Sequence, residues 1–325
     1  MNRNMTASEF SVGTRYLGKD SEHRHWRDIR ALGFTEWYVG RLPKRFLAFH
    51  RHAENATAYL FPEYFYQVRT DDGRPVAYLA TVPAYWSGDK HALQTYGYYA
   101  GTLKFGRLKT RLLTAFYVLV IEMLHMPKVF SVIASRFRER KLSGANCIVL
   151  LAMVIDPAYQ KTRIPALLFD AVTRTARRLG MKHVLSPFRP NAYGQYKAER
   201  RVAHSNALFE EYCNLKNDEN LPHDPWLRAV ARNGAQFLRI EYRSLTISRS
   251  LDRFERFRKN HRPESWYSPI PDTWECGETP TWYVDRHKQV AMSVEPNIWG
   301  VVRVDDLESL EQGTDGIHGS AEVST

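Results

Sequence analysis

From Cys147 to Ile155 the chain reads CIVLLAMVI, nine apolar residues in a row with many branched side chains. A run of that length without alternation predicts a central strand covered on both faces. Asp156-Pro157 ends it. From Pro165 to Leu179 the period changes: Leu167, Leu168, Ala171, Val172, Ala176 and Leu179 share one helical face, and Arg174, Arg177 and Arg178 point away from it. Pro165 suits the first turn of that helix and Gly180 the position just past its end. Lys182 to Ser186 (KHVLS) then predicts a second, parallel strand, so the unit is β-α-β with a right-handed crossover.

Upstream, Tyr64 to Arg69 (YFYQVR) alternates like a strand, Asp72-Gly73 is a hairpin signal, and Pro75 to Val82 returns as the partner strand. Downstream, the pattern predicts a short helix over Asp224 to Asn233, a strand over Gln236 to Tyr242, and one or two strands between Thr281 and Val304. Trp26 to Ala53 suggests a helix or two, with Trp37, Tyr38 and Phe46 as core candidates. Residues 1–25 are polar and aperiodic, a loose leader, and residues 305–325 form an acidic tail of small residues. With neither an internal repeat nor a low-complexity linker, the expectation is one α/β domain over residues 26–304. Its central mixed, twisted sheet is flanked by helices, and an atypical aromatic and basic insertion interrupts it at about 87–143.

Composition narrows the function classes. An apolar fraction of 44% in 325 residues is enough for a sizeable core and excludes wholesale disorder. The most apolar helix candidate, Leu112 to Leu124, contains Glu122 and is too short for a span of roughly 20 residues. Three scattered cysteines without a CxxC or His/Cys spacing argue against a disulfide framework or a zinc site. The expectation is no metal and, with no N-terminal signal pattern, a reducing cytoplasm. The net charge of +11 is uneven: Gly101 to Ala145 carries nine basic residues against two acids, Glu122 and Glu139. Such a patch attracts phosphates, acidic proteins, nucleic acid or anionic lipid without distinguishing among them.

The stretch Val154-Ile155-Asp156-Pro157-Ala158-Tyr159-Gln160-Lys161-Thr162-Arg163-Ile164-Pro165-Ala166-Leu167-Leu168 resembles the cofactor motif of the GNAT acyltransferases. In that motif a strand ending in V-x-P leads through Gln/Arg-x-x-Gly-x-Gly/Ala into a leucine-rich helix. A tight loop at a helix N-terminus aims backbone N–H groups and the helix dipole at the pyrophosphate of coenzyme A. Three further elements resemble a divergent bacterial subgroup of the same superfamily. They are Ser186-Pro187-Phe188-Arg189-Pro190 (a PxRP element), Asp224-Pro225-Trp226-Leu227-Arg228 (DPWLR) and Val294-Glu295-Pro296-Asn297-Ile298-Trp299 (VEPNxW). Phe61-Pro62-Glu63 fits the subgroup as well. Both loop glycines of the family pattern are replaced here, by Arg163, which restricts the backbone, and by Pro165, which lacks an N–H.

The resemblance implies acyl transfer from acetyl-CoA or another acyl-CoA to the amine of a small molecule by direct attack. Met153, Val154 and Ile155 would supply the backbone contact to the thioester, and Gln160, Lys161, Thr162, Arg163 and Ile164 the phosphate donors. Asn191, Tyr193 and Tyr196 lie where the family keeps an Asn and an acid Tyr, with Tyr196 preferred over Tyr193. A tyrosine of pKa about 10 suits protonation of a leaving thiolate. Glu63 and Glu295 are the candidate bases, whereas Cys147, opening the apolar run, reads as core. A second reading is a donor carried by phosphopantetheine on an acidic acyl carrier protein, with decarboxylation or S-acyl transfer. It draws on the altered loop and the basic insertion, and gives roles to His183 and Thr162. A third is a non-enzymatic basic protein binding single-stranded nucleic acid or a membrane surface, from Tyr96, Tyr98, Tyr99 and Phe105 among the basic residues.

Overall fold

The computed structural model of the chain describes residues 10–14, 61–96, 142–160, 162–278 and 280–304, together with residues 99, 115, 119, 135, 138 and 139. The helices expected between Trp26 and Ala53, most of the insertion and the tail beyond 304 lie outside the described residues.

Among the described residues nine strands form one mixed sheet. They are β1 (Phe10–Thr14), β2 (Phe65–Thr70), β3 (Pro75–Ala84), β4 (Cys147–Ile155), β5 (His183–Phe188), β6 (Gln236–Ser250), β7 (Thr273–Trp274), β8 (Thr281–Asp285) and β9 (Val290–Arg303). The order is β1-β2-β3-β4-β5-β9-β8-β7, with β6 also pairing β9. Neighbours are antiparallel except β4 and β5. The helices are α1 (Ile164–Arg178), α2 (Tyr193–Arg200), α3 (Asn206–Asn214), α4 (Pro225–Arg232) and α5 (Leu251–Asn260).

The β4–α1–β5 unit forms as the hydrophobic pattern predicts, with β4 covering the whole apolar run. Leu168, Val172 and Ala176 of α1 pack on one sheet face with Phe65, Val68, Leu79, Ile148 and Val184, each large apolar side chain contributing about 1.5–3 kcal/mol. Leu179 is the exception: it lies past the helix end and is exposed. The opposite face carries Val82, Trp86, Leu93, Tyr99, Cys147, Val149, Leu185, Trp299 and Val301, so the start of the insertion closes over it. A smaller cluster joins α5 to the far edge, where Phe254 stacks on Trp282 at 4.9 Å.

Two expectations are corrected. The leader is not wholly loose, because Phe10–Thr14 pairs with β2 from Phe10↔Thr70 to Thr14↔Tyr66, and five residues were too few to show a period. Nor is β4 covered throughout: Cys147 to Leu150 are buried, but Leu151 to Ile155 are only half-buried. The reason is topological. β5 pairs with β4 at Cys147↔His183, Ile148↔Val184 and Val149↔Leu185, and from Ser186 onward its partner is β9 alone. Sequence reading missed α2, α3 and α5, which are short and mostly polar.

α2 is fixed by a charge pair removed from water. Lys197 and Glu275 both have fully buried side chains, with Nζ 2.5 Å from Oε2. Thr281 Oγ1 accepts from Lys197 at 2.9 Å and donates to Glu275 Oε1 at 2.8 Å. Gly194 lies so close to the Gly277–Glu278 backbone that a Cβ there would come within 2.2 Å of Glu278 C. A paired buried charge is tolerated; an orphaned one is costly. Lys197→Met should therefore lower unfolding free energy by about 3–5 kcal/mol, and the Lys197→Met/Glu275→Leu double variant should recover most of it, both read from urea midpoints.

Candidate active site

Parting of β4 and β5 sets the geometry. Beyond Val149 no strand among the described residues lies on the β5-facing edge of β4, and Leu151 adds a bulge, since Leu150 pairs Thr81 and Ala152 pairs Ala80 on β3. Asp156 N donates to Val76 O at 2.9 Å, and by alternation Val154 also faces β3, so Met153 and Ile155 turn their backbone N–H and C=O groups to the other edge. An extended chain bearing amides, such as pantetheine, matches that edge by the same hydrogen bonding that pairs strands.

The strand runs out at the loop that enters α1. Asp156 accepts from the Ala158 N–H at 2.9 Å, shaping the turn Pro157–Tyr159. Gln160 spends its N–H on Pro157 O at 3.4 Å. Thr162 Oγ1 donates to Tyr159 O at 2.7 Å and accepts from the Ile164 N–H at 3.3 Å, so it satisfies the first N–H of α1. Pro165 offers no N–H. Two of the five expected phosphate donors, Gln160 and Ile164, are therefore occupied within the loop. Arg163 is exposed, and Lys161 lies outside the described residues. The strand edge offers backbone partners of the kind pantetheine's amides need, whereas the loop has N–H groups left for a pyrophosphate only in part.

Past the C-terminal end of β5 the three sequence elements meet. Arg189 Nη1 donates to Glu295 Oε2 at 3.3 Å, tying the Pro-Phe-Arg-Pro turn to the Val-Glu-Pro-Asn strand. Asn297, two residues on and buried, donates to Ser244 Oγ at 3.0 Å. Asp224 holds the third element: its Oδ1 accepts from the Trp226 and Leu227 N–H groups, capping α4. Its Oδ2 accepts from Ala192 N at 3.0 Å and Tyr212 Oη at 2.9 Å, which fixes the start of α2 and the middle of α3.

Tyr193 opens α2 and is fully buried, its hydroxyl 2.9 Å from His204 Nδ1. Burial first, then the Glu275 charge, pushes that hydroxyl far above the usual tyrosine range. Tyr196 is half-buried, donates to Glu211 Oε1 at 3.2 Å, and carries the Arg200 guanidinium 3.7 Å from its ring centre. Desolvation, with Glu211 adding to it, raises its pKa. Asn191 is exposed in the turn before α2. Glu63 is held bidentate by Arg138 of the insertion. His183 begins β5, against Trp86 at 5.0 Å. Pairing with Cys147 puts it at the other end of β4 from the loop, eight residues or about 26 Å of strand away. His183 and Thr162, which the carrier reading would join, are thus not brought together. Burial pushes the Cys147 thiol up to about 12, in keeping with a core residue. Sequence reading missed His204 and Glu211, which no motif marks, and the pairing of Arg189 with Glu295, although both residues stood in elements it had singled out.

The antiparallel β1–β4 meander, the parallel β4–β5 pair that parts after three residues, and the loop and helix that rise from the gap now stand together. This is the α/β architecture, a mixed sheet flanked by helices, that the GNAT resemblance implies. No family model matches it. The arginine N-acetyltransferase avaD of Aspergillus versicolor is 25% identical over 183 residues, 51% of this chain and 59% of that protein; the chain thus spans about three-fifths of that relative's length. Among solved structures, the loading GNATL domain of CurA from Lyngbya majuscula is similar with a TM-score of 0.46 at 14% identity, covering 91% of this chain and 98% of that one. The GphF GNAT-like decarboxylase in complex with isobutyryl-CoA gives 0.44 at 13%, covering 90% and 99%. The polyamine N-acetyltransferase of Drosophila melanogaster gives 0.37 at 13%, covering 91% and 100%. Among the described residues no group of three or more His, Cys, Asp or Glu side chains is arranged to hold a metal ion, and no helix is long and apolar enough to cross a membrane.

His204, mostly buried beside Tyr193, yields a prediction for this site. Desolvation, then the nearby Lys197 charge, depresses its pKa to about 4 from 6.5. The unfolded chain therefore binds a proton below 6.5 that the folded chain refuses, and stability should fall as pH drops from 6.5 towards 4, by about 3 kcal/mol in all. Urea midpoints between pH 7 and 4.5 should fall less steeply in His204→Asn than in the parent protein.

Proposed function

We propose that this chain is a GNAT-type acyltransferase that takes an acyl group from a pantetheine thioester and passes it to the amine of a small molecule. The observation that carries the reading is the open half of β4, Leu150 to Ile155, running straight into the loop at the N-terminus of α1. In this reading the backbone of Met153 and Ile155 holds and orients the donor's amides and thioester carbonyl, while the half-positive helix end and Arg163 attract its phosphate. The acceptor enters on the face bearing Trp299, where Glu295, held by Arg189, is the candidate carboxylate for the amine proton. Tyr196, just past β5, has the sequence position of the family's acid, but its hydroxyl hydrogen already lies on Glu211. The similarity to an arginine N-acetyltransferase makes L-arginine the first acceptor to test.

Free acyl-CoA and a carrier-bound donor share the pantetheine arm and differ in phosphate. One observation favours the carrier: Gln160 and Ile164 have already spent their N–H groups inside the loop, and Pro165 has none. A single phosphate needs fewer donors than a pyrophosphate, and the basic residues of 101–145 suit an acidic protein.

Acetyl-CoA at one hundred times its Kd should stabilise the folded chain by about 2.7 kcal/mol, a rise of several degrees in Tm. No shift at millimolar acetyl-CoA, together with salt-sensitive binding of an acylated carrier protein, would move the donor to the carrier; absence of both would end the acyltransferase reading. Pro165→Ala restores one N–H at the helix entrance. It should tighten acetyl-CoA about tenfold if a phosphate seats there, one charge-assisted bond being worth about 1.5 kcal/mol. An unchanged Kd by isothermal titration would take the phosphate away from this loop.

A further inference from the structure

The described tyrosines differ in what their hydroxyls reach. Tyr193 is sealed against His204, Tyr196 donates to Glu211, and Tyr212 donates to Asp224. Tyr96, from the start of the insertion, instead donates to Leu151 O at 3.2 Å. Leu151 is the bulged residue of β4 and lies two positions beyond the last residue that β5 pairs. The Tyr96 hydroxyl is therefore held against the half of β4 that borders the open edge.

Its placement is built rather than accidental. Trp86 N donates to Asn146 Oδ1 at 2.8 Å, Asn146 Nδ2 donates back to Trp86 O at 2.7 Å, and Trp86 Nε1 donates to Asp89 O at 2.8 Å. Arg239 Nη2 on β6 donates to Leu93 O at 2.8 Å. Leu93 and Tyr99 on either side of Tyr96 are buried against Val149 and Trp299, the Tyr99 and Trp299 rings 5.3 Å apart. The chain is thus pinned both before and after Tyr96. Tyr96 itself is half-buried, so part of its side chain meets solvent.

We propose that Tyr96 is a catalytic residue, the proton donor to the departing thiolate, an inference that rests on the acyltransferase reading above. As the nitrogen of the amine, or the oxygen of water in slow hydrolysis, bonds to the acyl carbon, the C–S bond breaks. The sulfur leaves with the bonding pair and takes the proton of Tyr96 Oη. The proton shed by the amine passes to Glu295, the carboxylate named above, and on to solvent; that shed by water passes to solvent directly, and solvent returns one to the phenolate.

The test measures thiol release from acetyl-CoA by the full chain, with L-arginine and with water alone, since both reactions expel the same thiolate. Tyr96→Phe keeps the ring and removes only the hydroxyl. It should lower kcat about 100-fold, the low end of what a positioned acid contributes, while KM for acetyl-CoA stays within about twofold. The alkaline fall of kcat in the parent protein should disappear in the variant; loss of a merely structural bond would lower Tm without removing that limb. Unchanged kcat in Tyr96→Phe, or an alkaline limb retained by it and lost in Tyr196→Phe, would overturn the assignment. A parent protein that releases no thiol from acetyl-CoA fails earlier and differently: it removes free acyl-CoA as donor and this role with it.

Discussion

The structure depends on a backbone pairing that stops. β4 and β5 share three residue pairs and then separate, while β5 stays paired with β9 on its other edge from His183 to Phe188. A strand edge left without a neighbour normally invites aggregation or demands a cover. Here the edge lies inside the sheet, bordered by the α1 loop at one end and approached by Tyr96 from one face. Every property assigned to the site follows from that separation. The half-burial of Leu151 to Ile155 does, as do the outward-turned backbone groups of Met153 and Ile155 and the placing of Arg189 just where β5 gives out.

What holds the parted strands in place is mostly polar. Asp224 bonds to four groups on three segments and binds α2, α3 and α4 into one unit beyond β5. The Lys197–Glu275 pair fastens that unit to the β7–β8 connection, and Gly194 permits the backbones to touch. Arg189 and Glu295 close the remaining side. Apolar packing on α1 supplies much of the stability, yet it would tolerate small slips. Buried charges and hydrogen-bonded carboxylates do not, because each has one satisfied arrangement and large costs elsewhere. The sequence elements around Arg189, Asp224 and Glu295 therefore read as the frame of the site rather than its reacting groups, Glu295 alone having a claim to both.

The altered loop changes what the site asks of its donor. Thr162 turns inward to satisfy the first N–H of α1 where the family pattern has a glycine-rich cradle, so the helix gains a partner of its own and gives up donors for a ligand. In the proposed acyltransferase reading, the donor is held more by the strand edge than by the phosphate loop. The pantetheine arm, common to coenzyme A and carrier proteins, then becomes the constant part of the substrate.

Much of the fold was legible in the order of residues. The nine-residue apolar run, the amphipathic period after Pro165 and the Asp72-Gly73 turn each reflect a local preference, and each produced its element within a residue or two. The loop was legible for a similar reason, as a turn followed by a helix start is a contiguous feature. Whole-molecule pairing decided the rest. Five residues in the leader became a strand only because β2 offered an edge, and α2, α3 and α5 form where packing, not propensity, rewards them. Nothing local says where β5 leaves β4, that Arg189 finds Glu295 106 positions away, or that Tyr96 reaches across 55 residues to the bulge at Leu151. Hydrophobic periodicity encodes which faces are buried; the meeting of polar groups distant in the chain is set only when the sheet closes around them.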